Sequence, residues 1–372
     1  MSIAPASLPK RSWVEVSLGA IARNYQAVCG VVGADAGAGV HVMPVVKADA
    51  YRHGAVEVSR CLESEGARWL AVSSAEEGWR LRQEGIRTRI LVMADFPEVS
   101  EYGLTPVVHS LDAIAQVRGA YHLKIDSGMG RLGTRAVVAE IARAVRANPK
   151  AQLEGLMTHF ASAADYIGSQ TDEQVVAFDE AVEGLRAEGI DPPYRHTSST
   201  IAIAYGRRKA WHNLVRPGHA IYGYVSPARG DAPPRELSVE PALSWRAALL
   251  EVKDMPKGAP IGYGARFITP RPMRVGVLAV GYADGVPHSL GGRPEARVIA
   301  GGHWAPVLGA VSMDLTSIDL SAAPHLKSGD AVTLIGREGE LEQDAQTLAR
   351  AARTISYNLL CGIHARVKRI YV

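Results

Sequence analysis

Eight short apolar segments alternate with amphipathic segments between about residues 40 and 225. The apolar segments cover residues 41–47, 69–73, 89–94, 105–110, 121–126, 153–159, 194–199 and 220–224. Within 136–149 and 171–189, apolar residues recur at the spacing of one helix face. Apolar strands alternating with amphipathic helices indicate an α/β fold with a parallel sheet. The repeated unit predicts a closed (β/α)8 barrel of the TIM type, with an open doubly wound sheet as the alternative.

The pattern changes after about residue 238. Strand-like segments at 242–252, 274–282, 296–302, 316–320, 330–336 and 364–372 are separated by turns rich in Gly, Pro and Asp. Only the segment at 341–353 is helix-like, and the Pro- and Gly-rich segment at 227–236 is the expected linker. We therefore predict a barrel domain over residues 1–237 and a mostly β domain over residues 238–372. A first strand near 12–17 can pack with the C-terminal domain.

The composition narrows the class of protein. The 372 residues are 47% hydrophobic and 21% charged, with a net charge of +3 and no long basic run. These values disfavour nucleic acid or an anionic membrane as a partner. Three widely spaced cysteines fit a reducing compartment. Because the N-terminus lacks an apolar signal core and no segment reaches the ~20 apolar residues of a membrane span, we expect a cytoplasmic enzyme.

Cations, imidazoles and hydroxyls occur where the barrel strands are predicted to end, which is where barrel enzymes build their active sites. Taken singly, each has a structural explanation, such as a solvated lysine or a helix N-cap. Taken together, they suit a bound anion. The residues concerned are Lys47, Lys124, Asp126, Arg131, His159, His196, Ser198, Ser199, Thr200, Arg216, Gly218 and Tyr222.

A lysine that can lose its proton can form a Schiff base, and pyridoxal phosphate is the cofactor that uses one. Such a site needs a phosphate cradle, which the segment 196–200 and Gly218 can supply, and a partner for the pyridine nitrogen, which Arg216 can supply. An arginine there leaves the ring unprotonated, because it keeps its own proton. No Gly-rich dinucleotide or P-loop motif occurs, and Cys361 and His364 lack a second ligand pair, so we expect no metal.

The chain resembles the alanine racemase family of fold-type III pyridoxal-phosphate enzymes over nearly its whole length. The shared motifs are VVKADAYRHG, LKIDSGMGRLG, THFASA, VRPGHAIYG, GYGARF, GYADG, SMD and TISYNLLCGI, in the family's order. The resemblance implies interconversion of L- and D-alanine, which supplies D-alanine for peptidoglycan. It also implies two bases on opposite faces of the substrate, Lys47 and Tyr263.

The resemblance assigns the remaining roles and a head-to-tail homodimer in which Tyr263 and Met313 come from the partner subunit. Lys47 holds the cofactor covalently, His196 lies against its ring and Arg216 meets the ring nitrogen. Arg131 holds the substrate carboxylate or helps to orient the phenolic groups, and Lys124 matches a lysine that is often carbamylated and pairs with that arginine. The phosphate group is surrounded by Tyr51, Ser199, Thr200, Gly218, His219 and Tyr357, while Met313 and Tyr282 contact substrate, and His159 and Asp314 are supporting residues.

Three positions depart from the usual pattern of the family, all near the expected phosphate. Arg52 replaces a glycine, Ser199 in the block at 197–200 has a hydroxyl where the family has an amide, and His219 replaces an aliphatic residue. Other readings are a serine or broad-specificity racemase of this fold and a non-enzymatic pyridoxal-phosphate carrier, which lacks the β domain. A decarboxylase of the same fold type is expected to present an acidic residue to the ring nitrogen.

Overall fold

The computed structural model describes residues 10–33, 39–96, 99 and 102–372. The chain forms two compact units. The barrel unit comprises Leu18–Ala50 and Gly54–Glu240, and the C-terminal unit comprises the described residues up to Ser17, together with Tyr51–His53 and Pro241–Val372. The first strand, β1 (Ser12–Val16), belongs to the C-terminal unit.

The barrel unit is a ring of parallel strands. Strands β3 to β7 and β9 form one sheet in that order, and β10 pairs with β2. Parallel bridges from Val45 to Ala71 and from Ser199 to Arg216 close the ring, which has eight strands within the described residues. The predicted (β/α)8 barrel is therefore confirmed. Its strands are β2 (His41–Val42), β3 (Trp69–Val72), β4 (Arg89–Val92), β5 (Thr105–Val108), β6 (Gly119–Lys124), β7 (Ala151–Met157), β9 (Tyr194–His196) and β10 (Leu214–Val215).

Helices follow the strands of the barrel, as the amphipathic segments predict. The core is apolar on both faces of the sheet: every residue of β3 and of β5 is buried. The helices are α1 (Leu18–Val32), α3 (Ala55–Ser64), α4 (Ala75–Gln83), α5 (Leu111–Gln116), α6 (Val138–Ala147), α7 (Gln170–Ala187) and α8 (Thr200–Ala204). A short turn, α2 (Lys47–Tyr51), follows β2, and two-residue strands β8 (Asp165–Tyr166) and β11 (Arg229–Gly230) pair beside the ring.

The eighth strand was predicted at the wrong place. Residues 220–224 do not form a strand: the chain from His219 to Tyr222 is a 3-10 helix that ends at Gly223, where φ is 92°. The eighth strand is β10, a few residues earlier. The error has a physical reason, because a fully buried helical turn and a fully buried strand are equally apolar, so hydrophobicity alone does not separate them.

The C-terminal unit is mostly β, as predicted. Within the described residues its strands form a nine-stranded sheet in the order β20-β19-β16-β17-β18-β15-β12-β1-β21, and β19 also pairs with β12. Strand β1 pairs with β12 and with β21. The strands are β12 (Leu243–Met255), β13 (Pro260–Ile261), β14 (Phe267–Ile268), β15 (Met273–Leu278), β16 (Arg297–Ala300), β17 (His303–Leu308), β18 (Thr316–Asp319), β19 (Ala331–Glu338), β20 (Leu341–Gln343) and β21 (Lys368–Tyr371).

Several elements of this unit lie outside the sequence prediction, including the short strands β13 and β14, and residues 341–343 of the predicted helix instead form strand β20. Strand β17 pairs with β16 through a tight hairpin at Gly301 and Gly302, whose φ angles of 58° and 76° suit the two-residue turns that connect twisted strands. The Gly-Gly pair was a usable signal for it. The predicted helix near 341–353 is present as α9 (Ala345–Ala351), and α10 (Ser356–Gly362) follows it. Among the described residues, no helix is long and apolar enough to cross a bilayer.

Candidate active site

Lys47 lies where the first barrel strand gives way to a turn of unusual backbone conformation. The residues from Ala48 to Arg52 all have positive φ, between 52° and 67°. An L residue pays about 1–2 kcal/mol for this left-handed conformation, because its Cβ approaches the next carbonyl oxygen. Strain of this kind concentrates at functional sites and persists only where neighbouring contacts hold it. The backbone that follows Lys47 is therefore fixed by its surroundings.

Glu77 supplies one of these contacts and was missed by the sequence analysis. Its Oε1 accepts a hydrogen bond from the N–H of Ala48 at 2.6 Å, and its Oε2 accepts from the N–H groups of Ser73 and Ser74 at 2.7 and 3.3 Å. The Ser74 hydroxyl accepts in return from the N–H of Glu77, which completes a capping box at the start of α4. The Ser-x-x-Glu spacing was visible in the sequence, but its contact with the turn was not.

Arg216 is the centre of the buried polar cluster in the barrel unit. Its guanidinium is 2% exposed and donates to the carbonyl oxygens of Thr158, His196 and Thr197 at 2.8 to 3.1 Å. It also donates to Nδ1 of His196 at 2.7 Å and meets Nδ1 of His159 at 3.3 Å. Burial lowers the pKa of Arg216 to about 9, so the group still carries its proton at neutral pH.

The geometry of Arg216 fits the predicted contact with a pyridine nitrogen. All of these hydrogen bonds use the two Nη atoms, and no described residue accepts from Nε. One N–H of a buried donor is thus available to a bound acceptor. The available donor is an arginine, whereas a decarboxylase of this fold type is expected to present an acidic residue to the ring nitrogen. These residues fit pyridoxal phosphate.

The segment predicted to hold the phosphate joins two strand ends. Ser199 is bridged to Arg216 through the backbone, and the hydroxyl oxygen of Thr200 accepts from the N–H groups of Gly218 and Ala220, each at 3.2 Å. Two neighbouring hydroxyls, those of Thr197 and Ser198, instead donate to the carbonyl of Ala210. His219 is buried and stacks on Tyr224, with 5.1 Å between ring centroids.

The loop that carries Arg131 is shaped by Asp126. One oxygen of this carboxylate accepts from the N–H groups of Gly128, Met129 and Gly130, and the other binds Arg135 at 2.8 Å. Burial raises the pKa of Asp126, but these hydrogen bonds outweigh it and lower the pKa to about 2. The ion pair to Asp126 thus comes from Arg135, and Arg131 remains exposed at the rim.

Lys124 is a buried cation among other cations. It is 4% exposed and forms no ion pair within the described part of the chain. Burial, with the charges of Arg131 and Arg216, lowers the pKa of Lys124 to about 8. The same effects, led by burial and Arg216, lower the pKa of His159 to about 3. The neutral amine that carbamylation requires is therefore accessible near physiological pH at Lys124.

Three of the predicted residues of the C-terminal unit present large side chains to solvent. Tyr263 is 75% exposed, Met313 is 54% exposed and Tyr282 is 41% exposed. Tyr263 begins a short 3-10 turn after Gly262, whose φ is 69°. The segments that carry Tyr282 and Met313 are joined by two backbone hydrogen bonds. The N–H of Tyr282 donates to Ser312 and the N–H of Ala283 donates to Met313. Met313 and Tyr282 therefore lie on one local substructure.

Arg366 clamps that substructure and was also missed by the sequence analysis. Its Nε binds Asp284 at 2.7 Å, and its Nη2 binds the predicted supporting residue Asp314 at 2.7 Å. Asp284 also accepts from the N–H of Gly281 at 2.9 Å. A planar guanidinium can bridge two carboxylates in this way, whereas a lysine ammonium has no fixed fork. The clamp thus holds Asp314, which follows Met313 directly in the chain.

Tyr51 and Tyr357, both predicted to bind phosphate, lie together in the C-terminal unit with ring centroids 5.9 Å apart. Burial, then the proximity of Tyr357, raises the pKa of Tyr51, so its hydroxyl is neutral and can donate. Arg52, the departure from the family's glycine, has a φ of 67° that glycine would adopt without strain. Its Nε donates to the carbonyl of Cys361 at 3.3 Å and its carbonyl accepts from Arg369 at 3.2 Å. These bonds offset the strain.

Comparison with known families gives a consistent result across the chain. The family model "Alanine racemase, N-terminal domain" matches residues 16–227, and "Alanine racemase, C-terminal domain" matches residues 242–371. A curated alanine racemase of Halothermothrix orenii is 35% identical, over 98% of this chain and 97% of that protein.

Solved structures agree with the sequence comparison. The alanine racemase of Bacillus anthracis with bound L-Ala-P is 32% identical, covers 99% of this chain and 96% of its own, and superposes with a TM-score of 0.88. The alanine racemase of Bartonella henselae with covalently bound pyridoxal phosphate is 25% identical, covers 98% and 100%, and has a TM-score of 0.85.

Proposed function

The chain belongs to the alanine racemase family of isomerases, and on this premise we propose that it interconverts L- and D-alanine with pyridoxal phosphate. The observation that carries the proposal is Arg216, a buried guanidinium whose Nη groups are saturated and whose Nε–H is available. When bound, the cofactor supplies the electron-withdrawing system that acidifies the substrate Cα–H. A donor that keeps its proton leaves the ring a weak electron sink, which favours prompt reprotonation.

Two bases move the proton. We assign Lys47 Nζ to one face of the substrate and the Tyr263 hydroxyl to the other, since racemisation removes a proton from one face and returns one to the opposite face. The constrained turn after Lys47 supports this role, because it fixes the backbone at the lysine. The exposure of Tyr263 supports a site completed by a second copy of the chain.

We propose that the remaining residues hold the two ligands. Thr200, Gly218 and Ser199 bind phosphate at the strand ends. Arg131 holds the substrate carboxylate, with Lys124, as an anionic carbamate, pairing with it. His196 supports the ring, His219, Tyr51 and Tyr357 contribute to phosphate binding, His159 acts through Arg216, and Met313, Tyr282 and Asp314 shape the substrate pocket.

The assembly follows from this division of roles. The barrel unit forms the cofactor-binding domain and the C-terminal unit carries the second base, and a head-to-tail homodimer brings the two kinds of unit from different copies together. The widely spaced cysteines fit a cytoplasmic location, where the D-alanine produced supplies peptidoglycan synthesis. Full activity from a strictly monomeric protein would contradict the shared site.

Lys47→Ala tests the proposal directly. The wild type is expected to show the visible absorbance of a lysine-bound cofactor and to racemise L-alanine in a circular dichroism assay, and the variant is expected to lose both. Lys10→Ala is a matched control, because Lys10 is an exposed lysine of the C-terminal unit. A wild type without bound cofactor would overturn the proposal. Faster turnover of serine than of alanine would favour the serine racemase reading.

Tyr263→Phe tests the assignment of the two bases. Removal of the phenolic hydroxyl should slow proton abstraction from L-alanine more than from D-alanine, because each base serves one face. Single-turnover measurements in both directions separate the two steps. Equal losses in both directions would refute the division between Lys47 and Tyr263.

A further inference from the structure

A chain of polar side chains runs from Arg216 through the inside of the barrel unit. Arg216 Nη1 lies 2.7 Å from His196 Nδ1, and His196 Nε2 lies 2.7 Å from His122 Nδ1. His122 Nε2 faces an oxygen of Glu154 at 3.8 Å, longer than a hydrogen bond. Glu154 binds Arg89 through both oxygens, at 2.7 and 2.5 Å. Both imidazoles are fully buried.

The chemistry of the groups fixes the direction of this chain. A guanidinium only donates, so His196 Nδ1 must accept. A neutral imidazole has one donor and one acceptor, so the proton of His196 is on Nε2 and is donated to His122 Nδ1. The proton of His122 is then on Nε2, facing the Glu154 carboxylate. Burial lowers the pKa of both histidines, which keeps the rings neutral.

The packing around His122 leaves its ring little freedom. His122 is in register with Gly155 on the neighbouring strand, and a Cβ at that position would come within 2.6 Å of His122 Nδ1. The Trp69 ring meets the imidazole edge to face at a centroid distance of 5.4 Å, and Tyr194 stacks on it at 5.9 Å. Interiors packed in this way resist rotamer change.

We propose that His122 is a positioning residue for the predicted cofactor ring. By accepting from His196 Nε2, it fixes the tautomer in which His196 Nδ1 accepts from Arg216. Without this acceptor, His196 could carry its proton on Nδ1, and two donors would then face each other in a buried site. An unpaired or opposed buried donor is costly, so the guanidinium would shift away from the ring nitrogen. The effect on the cofactor rests on the proposed function, whereas the tautomer does not.

Two variants, one that keeps an acceptor and one that lacks it, separate this role from simple packing. In His122→Asn, the side-chain oxygen occupies a position close to that of Nδ1 and can still accept. His122→Phe fills the space without an acceptor. Gly155→Ala provides an independent test. Its Cβ displaces the His122 ring, while none of the hydrogen-bonded side chains is itself substituted.

The first measurement is ¹⁵N NMR of the histidine rings in the full-length protein, loaded with pyridoxal phosphate. The expected result is a neutral His196 with its proton on Nε2 between pH 6 and pH 8, which is a range of about one unit around neutrality. A protonated His196, or one with its proton on Nδ1, would overturn the proposal. This measurement uses the wild type, so it decides the tautomer even where a variant does not fold.

The second measurement is the dissociation constant of pyridoxal phosphate, beside the thermal midpoint of each variant. Loss of the acceptor should weaken binding by about tenfold to a hundredfold in His122→Phe, by analogy with removal of the hydrogen-bond partner of a metal-binding histidine. His122→Asn should retain most of the wild-type affinity for pyridoxal phosphate, because its amide oxygen can still accept. Equal weakening in both variants, in proportion to their loss of stability, would show a structural role only.

The outcomes also separate this inference from the proposed function. A wild type that binds no pyridoxal phosphate would refute the proposed function. A wild type that binds it, together with a folded His122→Phe variant that binds it equally well, would refute only the positioning role of His122.

Discussion

The two halves of the proposed site are built in opposite ways. In the barrel unit the cluster around Arg216 is held by hydrogen bonds between buried groups, and His196 and Arg216 are at most 2% exposed. In the C-terminal unit, Tyr263 and Met313 are at least 54% exposed. Every polar group in a buried cluster needs a hydrogen-bond partner, so such a cluster is rigid and substitutions within it are destabilising. The exposed half costs little to fold and is suited to contact with a second molecule.

The largest expected effect comes from the buried arginine. Arg216→Met leaves the carbonyl oxygens of Thr158, His196 and Thr197 without their donor, at about 1–3 kcal/mol each. Because a buried charge is removed at the same time, we expect a net loss of about 3 kcal/mol in the free energy of unfolding, and loss of cofactor binding. Urea titration and cofactor absorbance measure the two effects.

The matched control is the exposed Arg131. Arg131→Met should change the free energy of unfolding by about 0.5 kcal/mol or less, since it forms no ion pair within the described residues. It should instead raise the KM for alanine. Equal destabilisation by the two substitutions would contradict the contrast between a buried barrel cluster and an exposed rim.

A glycine tests how tightly the exposed half is itself supported. In Gly281→Ala, the new Cβ would collide with the carbonyl oxygens of Ser312 and Met313, so the loop must move. We expect a loss of about 1–3 kcal/mol, as for overpacking, and a change in KM. Gly362→Ala is the control in the same unit, because its Cβ meets nothing within 4 Å. Equal thermal midpoints for Gly281→Ala and Gly362→Ala would show that the loop adjusts to the added Cβ without loss of stability.

The loop at Asp126 gives an effect that depends on pH. The pKa of Asp126 is about 2 in the folded chain and about 3.9 in an unfolded one, so its ionised form stabilises the fold. This contribution is complete above about pH 4 and is lost as the pH falls toward 2. Asp126→Asn should therefore destabilise the protein at pH 7 by about 1–2 kcal/mol, and less near pH 3. Denaturant titrations at both pH values measure the difference; a penalty independent of pH would contradict it.

The smallest expected effect on stability is at the Arg366 clamp. Its side chain is 47% exposed, and exposed ion pairs contribute about 0.2–1 kcal/mol each. Arg366→Lys keeps the charge but cannot bridge Asp284 and Asp314 with one planar group. We expect nearly unchanged thermal stability with a raised KM, through displacement of Met313. An unchanged KM would show that the clamp does not support the substrate pocket.

Prediction from the sequence succeeded where a local pattern carries the information. The period of the apolar residues predicted the parallel barrel, and the ordered motifs predicted the family. It failed at residues 220–224, where a buried 3-10 helix is as apolar as a strand. It also missed Glu77, His122 and Arg366, because their contacts with the predicted residues form only in three dimensions.

The sequence by itself determined the alternation of strands and helices in most of the barrel, and which residues can carry charge or a proton. Only the tertiary structure decided which of those groups meet. Barrel closure brings Ser199 to Arg216, and strand register places His122 opposite Gly155, where no side chain blocks its ring. The tertiary structure also showed that Arg52 lies in a left-handed turn and offsets the strain by binding the carbonyl of Cys361. The physical reason is that residue pattern sets which face of an element is buried, whereas closure and register set its partners.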